Sequence, residues 1–251
     1  MIKKIIPCLD TKDGYVVKGI NFVNIKELGD PVEFAKKYEA DGADELVLLD
    51  ISATVEGRKT YLDIIEKTSA AINIPLAVGG GITSLEDFEK VINSGASKAS
   101  INSAAIKNPE IITEISEKFG KEKLIVAIDV IKNNDGKYNV VINGGNIDTG
   151  IDVIEWSKKV EELGAGEILL TSKDTDGVKD GYDIELTALV SDAVSIPVTA
   201  SGGCGKIEDF LEVFTKTNAA NALAASMFHY NVLTVKEIKE YLNENNIPVR
   251  I

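Results

Sequence analysis

Residues 74–106, IPLAVGGGITSLEDFEKVINSGASKASINSAAI, return 122 positions later as residues 196–228, IPVTASGGCGKIEDFLEVFTKTNAANALAASMF. Aligned without gaps, the two blocks share Ile, Pro, Gly, Gly, Glu, Asp, Phe and Val. A second pair, GADELVLLD from Gly42 and GAGEILLTS from Gly164, has the same offset of 122. Two separate blocks with one offset, each meeting a strand edge, point to a duplicated half-unit rather than to chance identity. The heads of the two halves match as well: the apolar runs KIIPCLD and LIVAID end on Asp10 and Asp129. Matched carboxylates on matched half-units suggest an acid/base pair facing one cavity.

Working outward, short β-rich apolar runs alternate with amphipathic segments of helical period, the pattern of a parallel sheet built from βα units. Eight strands are predicted: Ile5–Leu9, Leu46–Asp50, Leu76–Gly79, Lys98–Asn102, Leu124–Asp129, Ile168–Thr171, Val198–Ser201 and Asn221–Ala225. Asp30-Pro31 and Asn108-Pro109 each place a capping side chain before a first-turn proline, and Ser84-Leu-Glu-Asp has the spacing of a capping box. With a terminal helix over VKEIKEYLNEN, the elements close a (βα)8 TIM barrel with a twofold internal half-barrel repeat, one domain over residues 1–251. A doubly wound open sheet is the alternative. The NNDG and NGG turns around KYNVVI predict a hairpin inserted within Lys132–Gly150.

Composition narrows the function. With 27 basic and 40 acidic residues the net charge is −13, which repels nucleic acid and anionic membrane at long range. Cys8 and Cys204 lie in or beside apolar runs without CxxC spacing, so neither a zinc site nor a disulfide framework is expected. The apolar stretch of MIKKIIPCLD is too short for a signal peptide, and no run approaches the ~18 apolar residues of a membrane span. The chain therefore reads as soluble and cytoplasmic.

In such a barrel the chemistry sits where strands end. After the third strand comes Gly79-Gly80-Gly81 and after the seventh Ser201-Gly202-Gly203, each followed by a helix start. Such turns let backbone N–H groups approach an anion. Asn102-Ser103 and Ala225-Ser226 close the fourth and eighth strands and complete two symmetric cradles, which suits a substrate with a phosphate at each end. Asp10 and Asp129 would then stand on opposite sides of that substrate as acid and base. Asp174 and Asp176 in SKDTDGVKDGYD are secondary candidates, as turn residues or as participants. His229, the only histidine, reads as structural. No nucleophilic triad, metal-ligand cluster or dinucleotide fingerprint is present, and no cofactor is required.

The motifs IIPCLD, DGYVVKGINF, GDPVEFAKKY, DELVLLDI, VEGRKT, VGGGI, SINSAA, VAIDV, GAGEILLTS, DGYD, ASGGCGK and LAASMFH together resemble the cyclase subunit of imidazole glycerol phosphate synthase, along essentially the whole chain. That resemblance implies a (βα)8 barrel in histidine biosynthesis that takes ammonia from a glutaminase subunit in a heterodimer. The reaction it implies converts a ribulosyl, bis-phosphorylated aminoimidazole carboxamide nucleotide into imidazole glycerol phosphate and an aminoimidazole carboxamide ribotide. It also implies roles. Asp10 and Asp129 are the general acid and base, and Lys18 in VVKG meets substrate from a mobile first loop. Gly81, Asn102 and Ser103 hold one phosphate; Asp176, Gly177, Gly202, Gly203, Ala225 and Ser226 lie at the other. Lys4, Glu45, Lys98 and Glu167, at the opposite strand ends, form a gate for ammonia. The alternatives are the phosphoribosyl isomerase of the preceding step, which shares the duplicated barrel, and a diverged barrel that binds sugar phosphates without turnover.

The chain also departs from the family pattern. Tyr15 replaces an Arg, Val130-Ile131 replace a small-basic pair, and Lys173, Thr175 and Val178 alter the loop after the sixth strand. Ser97 stands where Asp is frequent, and TKTNAANALAAS carries an extra residue before the last strand.

Overall fold

A computed structural model of the chain describes residues 2–20, 23–51, 53–56 and 60–251. The elements run β1 (Lys4–Lys12), β2 (Tyr15–Ile20), β3 (Val23–Gly29), α1 (Pro31–Ala40), β4 (Leu46–Asp50), α2 (Ala53–Glu56), α3 (Leu62–Ala71), β5 (Leu76–Gly79), α4 (Leu85–Asn93), β6 (Lys98–Ile101), α5 (Ser103–Lys107) and α6 (Glu110–Phe119). The second half follows as β7 (Leu124–Lys132), β8 (Tyr138–Ile142), β9 (Ile147–Asp152), α7 (Val153–Glu162), β10 (Glu167–Ser172), α8 (Ile184–Ala193), β11 (Val198–Ser201), α9 (Ile207–Lys216), β12 (Asn221–Ala224), α10 (Ser226–His229) and α11 (Val235–Glu244). Eight parallel strands pair in the order β1-β4-β5-β6-β7-β10-β11-β12, and β12 returns to β1, so the chain is a closed (βα)8 barrel.

Strand parity divides the apolar residues between two cores. Ile6, Cys8, Val47, Ala77, Ile125, Leu169 and Leu223 fill the barrel interior. Their neighbours one step along, among them Ile5, Leu9, Leu46, Leu48 and Val126, pack outward under the helices. Period-2 side-chain alternation on strands buried on both faces produces this division.

The repeat of the sequence is a repeat of the fold. β5 and β11 coincide at both ends under the offset of 122, as do α3 and α8, and α1 and α7. Small devices recur with them. Asp30 and Asp152 cap α1 and α7 by accepting from Val32 N and Ile154 N at 2.7 and 2.9 Å. Glu39 accepts from the backbone of Asn73 and Ile74, and Glu161 from Ser195 and Ile196. After the extra residue the offset becomes 123, and β6 and α5 match β12 and α10.

Several local expectations need correction. DGYVVKGINF is not simply a loop: β1 runs on past the barrel mouth and folds back as the antiparallel pair β2–β3. Asn21 and Phe22 of that motif and Gly57, Arg58 and Lys59 of VEGRKT lie outside the described residues, as does the Lys18 side chain. The insertion after the fifth barrel strand is the expected hairpin, β8–β9, laid antiparallel on the continuation of β7. Asn108 does not cap α6: it ends α5 at φ −142°, and the cap position before Glu110 is taken by Pro109, already helical at φ −60°. Ser84 caps α4 by accepting from Asp87 N at 3.1 Å, while the Asp87 carboxylate turns to Thr83. No helix among the described residues is long and apolar enough to cross a membrane.

Candidate active site

The mouth at the C-terminal strand ends holds a cavity of about 730 Å3. It is lined by Asp10 and Asp129 and by residues of both glycine turns, Gly80, Gly81, Gly202 and Gly203. Asn102, Ser103, Asp176, Gly177, Ala225 and Ser226 complete the wall. Apart from Gly79 and Asp174, the described residues proposed from sequence for the mouth thus meet in one space. Lys18 sits on β2, and its side chain is outside the described part.

The two carboxylates have different neighbours. Asp10, 8% exposed, accepts from the Cys8 thiol at 3.6 Å. Asp129 accepts from the Asn102 side-chain amide at 2.9 Å. Burial raises the Asp129 carboxyl to about 6; the Asn102 hydrogen bond opposes that rise, Asp176 adds to it and Lys173 opposes it. A carboxyl so placed exchanges protons near neutral pH, which acid/base work requires. Asn102 Oδ1 is buried with no hydrogen-bond partner among the described residues, leaving an acceptor beside Asp129.

Backbone geometry demands glycine in the two turns. Gly80 has φ +93°, and a Cβ there would lie 2.1 Å from the Asp50 carbonyl oxygen. Gly203 has φ +96°, and its Cβ would meet the Gly181 carbonyl oxygen at 2.0 Å. Only glycine fits such left-handed, closely approached positions without strain. Ser103 Oγ accepts from Asn143 N of the β8–β9 turn at 3.3 Å, which ties one cradle to the hairpin.

Asp174 and Asp176, two residues apart, separate in role. Asp174 accepts from Lys132 N at 2.7 Å and so holds the loop to β7, whereas Asp176 lines the cavity. His229 is buried, its Nδ1 2.6 Å from the Tyr38 hydroxyl and its ring edge-on to Phe34, a packing role. Cys8 and Cys204 are both buried and not joined in a disulfide, and burial raises the Cys204 thiol. Among the described residues no three His, Cys, Asp or Glu side chains gather where a metal could be held.

The cavity also draws in residues not picked from the sequence, Lys12, Asp50, Ser100, Thr171 and Lys179, beside Ser201 of the second turn and Lys173 of the altered loop. Ser100 stands two positions before Asn102 and Thr171 two after the interior Leu169, so strand parity would have marked them. Lys12 and Lys179 carried no such signal, since a lysine at a strand end or in a loop is ordinarily solvated.

At the other end of the barrel Lys4 reaches Glu45 at 3.1 Å, Lys98 reaches Glu45 at 2.9 Å, and Lys98 reaches Glu167 at 2.8 Å. The four charges expected there form one connected set. Burial opposes the Lys98 charge, but Glu167 and Glu45 outweigh it and leave the ammonium pKa raised.

Fold and mouth define a class: a twofold-symmetric (βα)8 barrel enzyme with a carboxylate and a glycine turn from each half on one cavity. Within that class the chain belongs to the histidine biosynthesis protein family, whose profile matches residues 4–234. It is similar to imidazole glycerol phosphate synthase subunit HisF of Clostridium botulinum (strain Okra / Type B1), at 58% identity over 99% of each chain. It is also similar to subunit HisF of Bacillus cereus (strain G9842), at 55% identity over 100% of each.

Proposed function

We propose that this chain is the ammonia-dependent cyclase subunit of imidazole glycerol phosphate synthase in histidine biosynthesis, acting in the cytoplasm as one domain with a glutaminase subunit. The observation that carries the reading is the convergence of Asp10, Asp129 and both glycine turns on one cavity of about 730 Å3, in a chain whose full-length relatives carry that name. The substrate is a ribulosyl, bis-phosphorylated aminoimidazole carboxamide nucleotide. Its phosphates sit one in each cradle: Gly81, Asn102 and Ser103 on one side, Gly177, Gly202, Gly203, Ala225 and Ser226 on the other. Lys18 adds a contact from the β2–β3 hairpin.

Ammonia made by the glutaminase subunit enters past Lys4, Glu45, Lys98 and Glu167 and crosses the barrel, whereas free ammonia reaches the cavity through its open mouth; either adds to the ketose carbonyl. Water leaves as the imine forms. Carbon–nitrogen cleavage then releases the aminoimidazole carboxamide ribotide, and ring closure gives imidazole glycerol phosphate. Each step moves protons on or off nitrogen and oxygen, and Asp10 and Asp129, on opposite walls, serve as acid and base. The raised proton affinity of Asp129 supports a proton-carrying role there. No cofactor is needed.

The test is steady-state turnover of the ribulosyl substrate with an ammonium salt at alkaline pH, where free ammonia replaces the partner. Turnover that disappears in folded Asp10→Asn and Asp129→Asn proteins supports the reading. Tight substrate binding without turnover in the parent chain would replace it with a diverged binding barrel, and turnover of the unrearranged ribosyl precursor alone would replace it with the isomerase.

A further inference from the structure

The polar layer on the barrel floor extends beyond its four charges. Thr199 on β11 donates its hydroxyl to Glu167 Oε1 at 2.6 Å. The Asn221 side-chain amide on β12 donates to the same oxygen at 3.2 Å and to Thr199 Oγ1 at 2.8 Å. Thr199 and Asn221 are 1% and 4% exposed. Asn221 is also the register partner of Lys4 across the β1–β12 pair. The layer therefore passes around the floor as Lys4, Glu45, Lys98, Glu167, Thr199 and Asn221, with the apolar residues Ile6, Val47, Ala77, Ile125, Leu169 and Leu223 filling the barrel interior.

The two carboxylates are supported differently. Glu45 is shared by two lysines. Glu167 has one lysine, on Oε2, while Oε1 is held by two uncharged donors. A buried carboxylate stripped of its partner is strongly unfavourable, because the remaining charge is neither solvated nor paired. Were Lys98 to move away, Glu45 would keep Lys4, and Glu167 would keep Thr199 and Asn221. The uncharged donors would then lower the barrier to opening the floor and hold the Glu167 carboxylate in place.

We propose that Thr199 and Asn221 are positioning residues for Glu167, which hold its carboxylate so that Lys98 can leave and ammonia can pass through the floor. This rests on the gate reading above. Without the Thr199 or Asn221 donor, Glu167 depends more on Lys98, and the floor opens less readily.

The test uses the complex with the cognate glutaminase subunit and compares glutamine-dependent with ammonium-dependent turnover at saturating nucleotide. In Thr199→Val and in Asn221→Ala the ratio of glutamine-dependent to ammonium-dependent turnover should fall several-fold, with more glutamine hydrolysed per product. Thr199→Ser, which keeps the hydroxyl, should restore the ratio. An unchanged ratio in both variants, while Lys98→Met alters it, would overturn the inference and leave the gate standing. Equal loss of both turnovers would also overturn it, since that is what a merely structural role gives. If Lys98→Met leaves the ratio unchanged, the gate reading falls and takes the inference with it.

Discussion

Replacing Asp129 by Asn should stabilise the protein at neutral pH while removing its turnover. Burial raises the Asp129 carboxyl from an ordinary 3.8 to about 6, against the opposing hydrogen bond from Asn102. Between those two values the folded state binds more protons than the unfolded chain. Stability therefore falls as pH rises through the window, and the penalty is complete above 6. A difference of about 2 pH units at about 1.4 kcal/mol each sets a ceiling of about 3 kcal/mol. Part of the carboxylate opens on the cavity and keeps some water, so about 1–2 kcal/mol is the expected gain on neutralising it. For a chain of this length that corresponds to a rise in Tm of about 2–8 °C at pH 7.5. Calorimetry on the parent and Asp129→Asn proteins between pH 5 and pH 8 reads it directly. The gap should be widest at the alkaline end and narrow toward pH 5. A variant less stable than the parent at pH 7.5, or a gap independent of pH, would refute the assignment of a raised, strained carboxylate.

Three other outcomes follow from the same contacts. Asp10→Asn should lower turnover by at least about 100-fold while titration calorimetry finds substrate affinity within a few-fold of the parent, because a proton-transfer group is lost and the cradles are not. Lys239→Met should lower unfolding free energy by about 3–5 kcal/mol in denaturant titrations, since Lys239, 4% exposed, pairs with Asp44 at 2.8 Å and Asp44 also accepts from Ile5 N. Gly203→Ala should weaken substrate binding and destabilise by more than about 1 kcal/mol, because φ is +96° and the new methyl would press on the Gly181 carbonyl; unchanged affinity would remove Gly203 from the cradle.

The barrel was legible because its information is local and repeated. Apolar runs bracketed by glycine turns mark strands, Asp30-Pro31 marks a helix start, and the shared offset of 122 fixes how the halves correspond. What stayed hidden depends on chain segments far apart in sequence. The β2–β3 pair forms because β1 continues beyond the barrel and offers Thr11 and Lys12 as a template, which propensity in DGYVVKGINF does not reveal. Asn108 loses its capping role because α5, itself set by the register of β6, ends on it. Asp174 and Asp176 look alike in SKDTDGVKDGYD, and only the meeting with Lys132 N separates a tether from a cavity residue. Thr199 and Asn221 read only as members of the predicted strands Val198–Ser201 and Asn221–Ala225. Their place beside Glu167 follows from the pairing of β10, β11 and β12, not from either segment alone.

A duplicated scaffold explains why the site has two of everything, yet acid/base chemistry needs the copies to differ. The halves are nearly superposable in backbone devices, from the Asp caps of α1 and α7 to the positive-φ glycines after β5 and β11. They diverge in the neighbours of each carboxylate. Asp10 has the Cys8 thiol, two positions back on its own strand; Asp129 has an amide from the neighbouring strand end, Asn102, and a charged neighbour in Asp176. The position equivalent to Asn102 in the second half, after the one-residue insertion, is Ala225, which has no side-chain donor to offer Asp10. Symmetry at the two glycine turns is what a substrate with similar ends would call for, while the two carboxylates stand in different surroundings, and burial raises that of Asp129. The floor repeats the pattern: Glu45 and Glu167 are equivalents under the same offset, one compensated by two lysines and the other by one lysine and two uncharged donors. In both layers the fold is set by what the halves share, and the chemistry by the few contacts in which they differ.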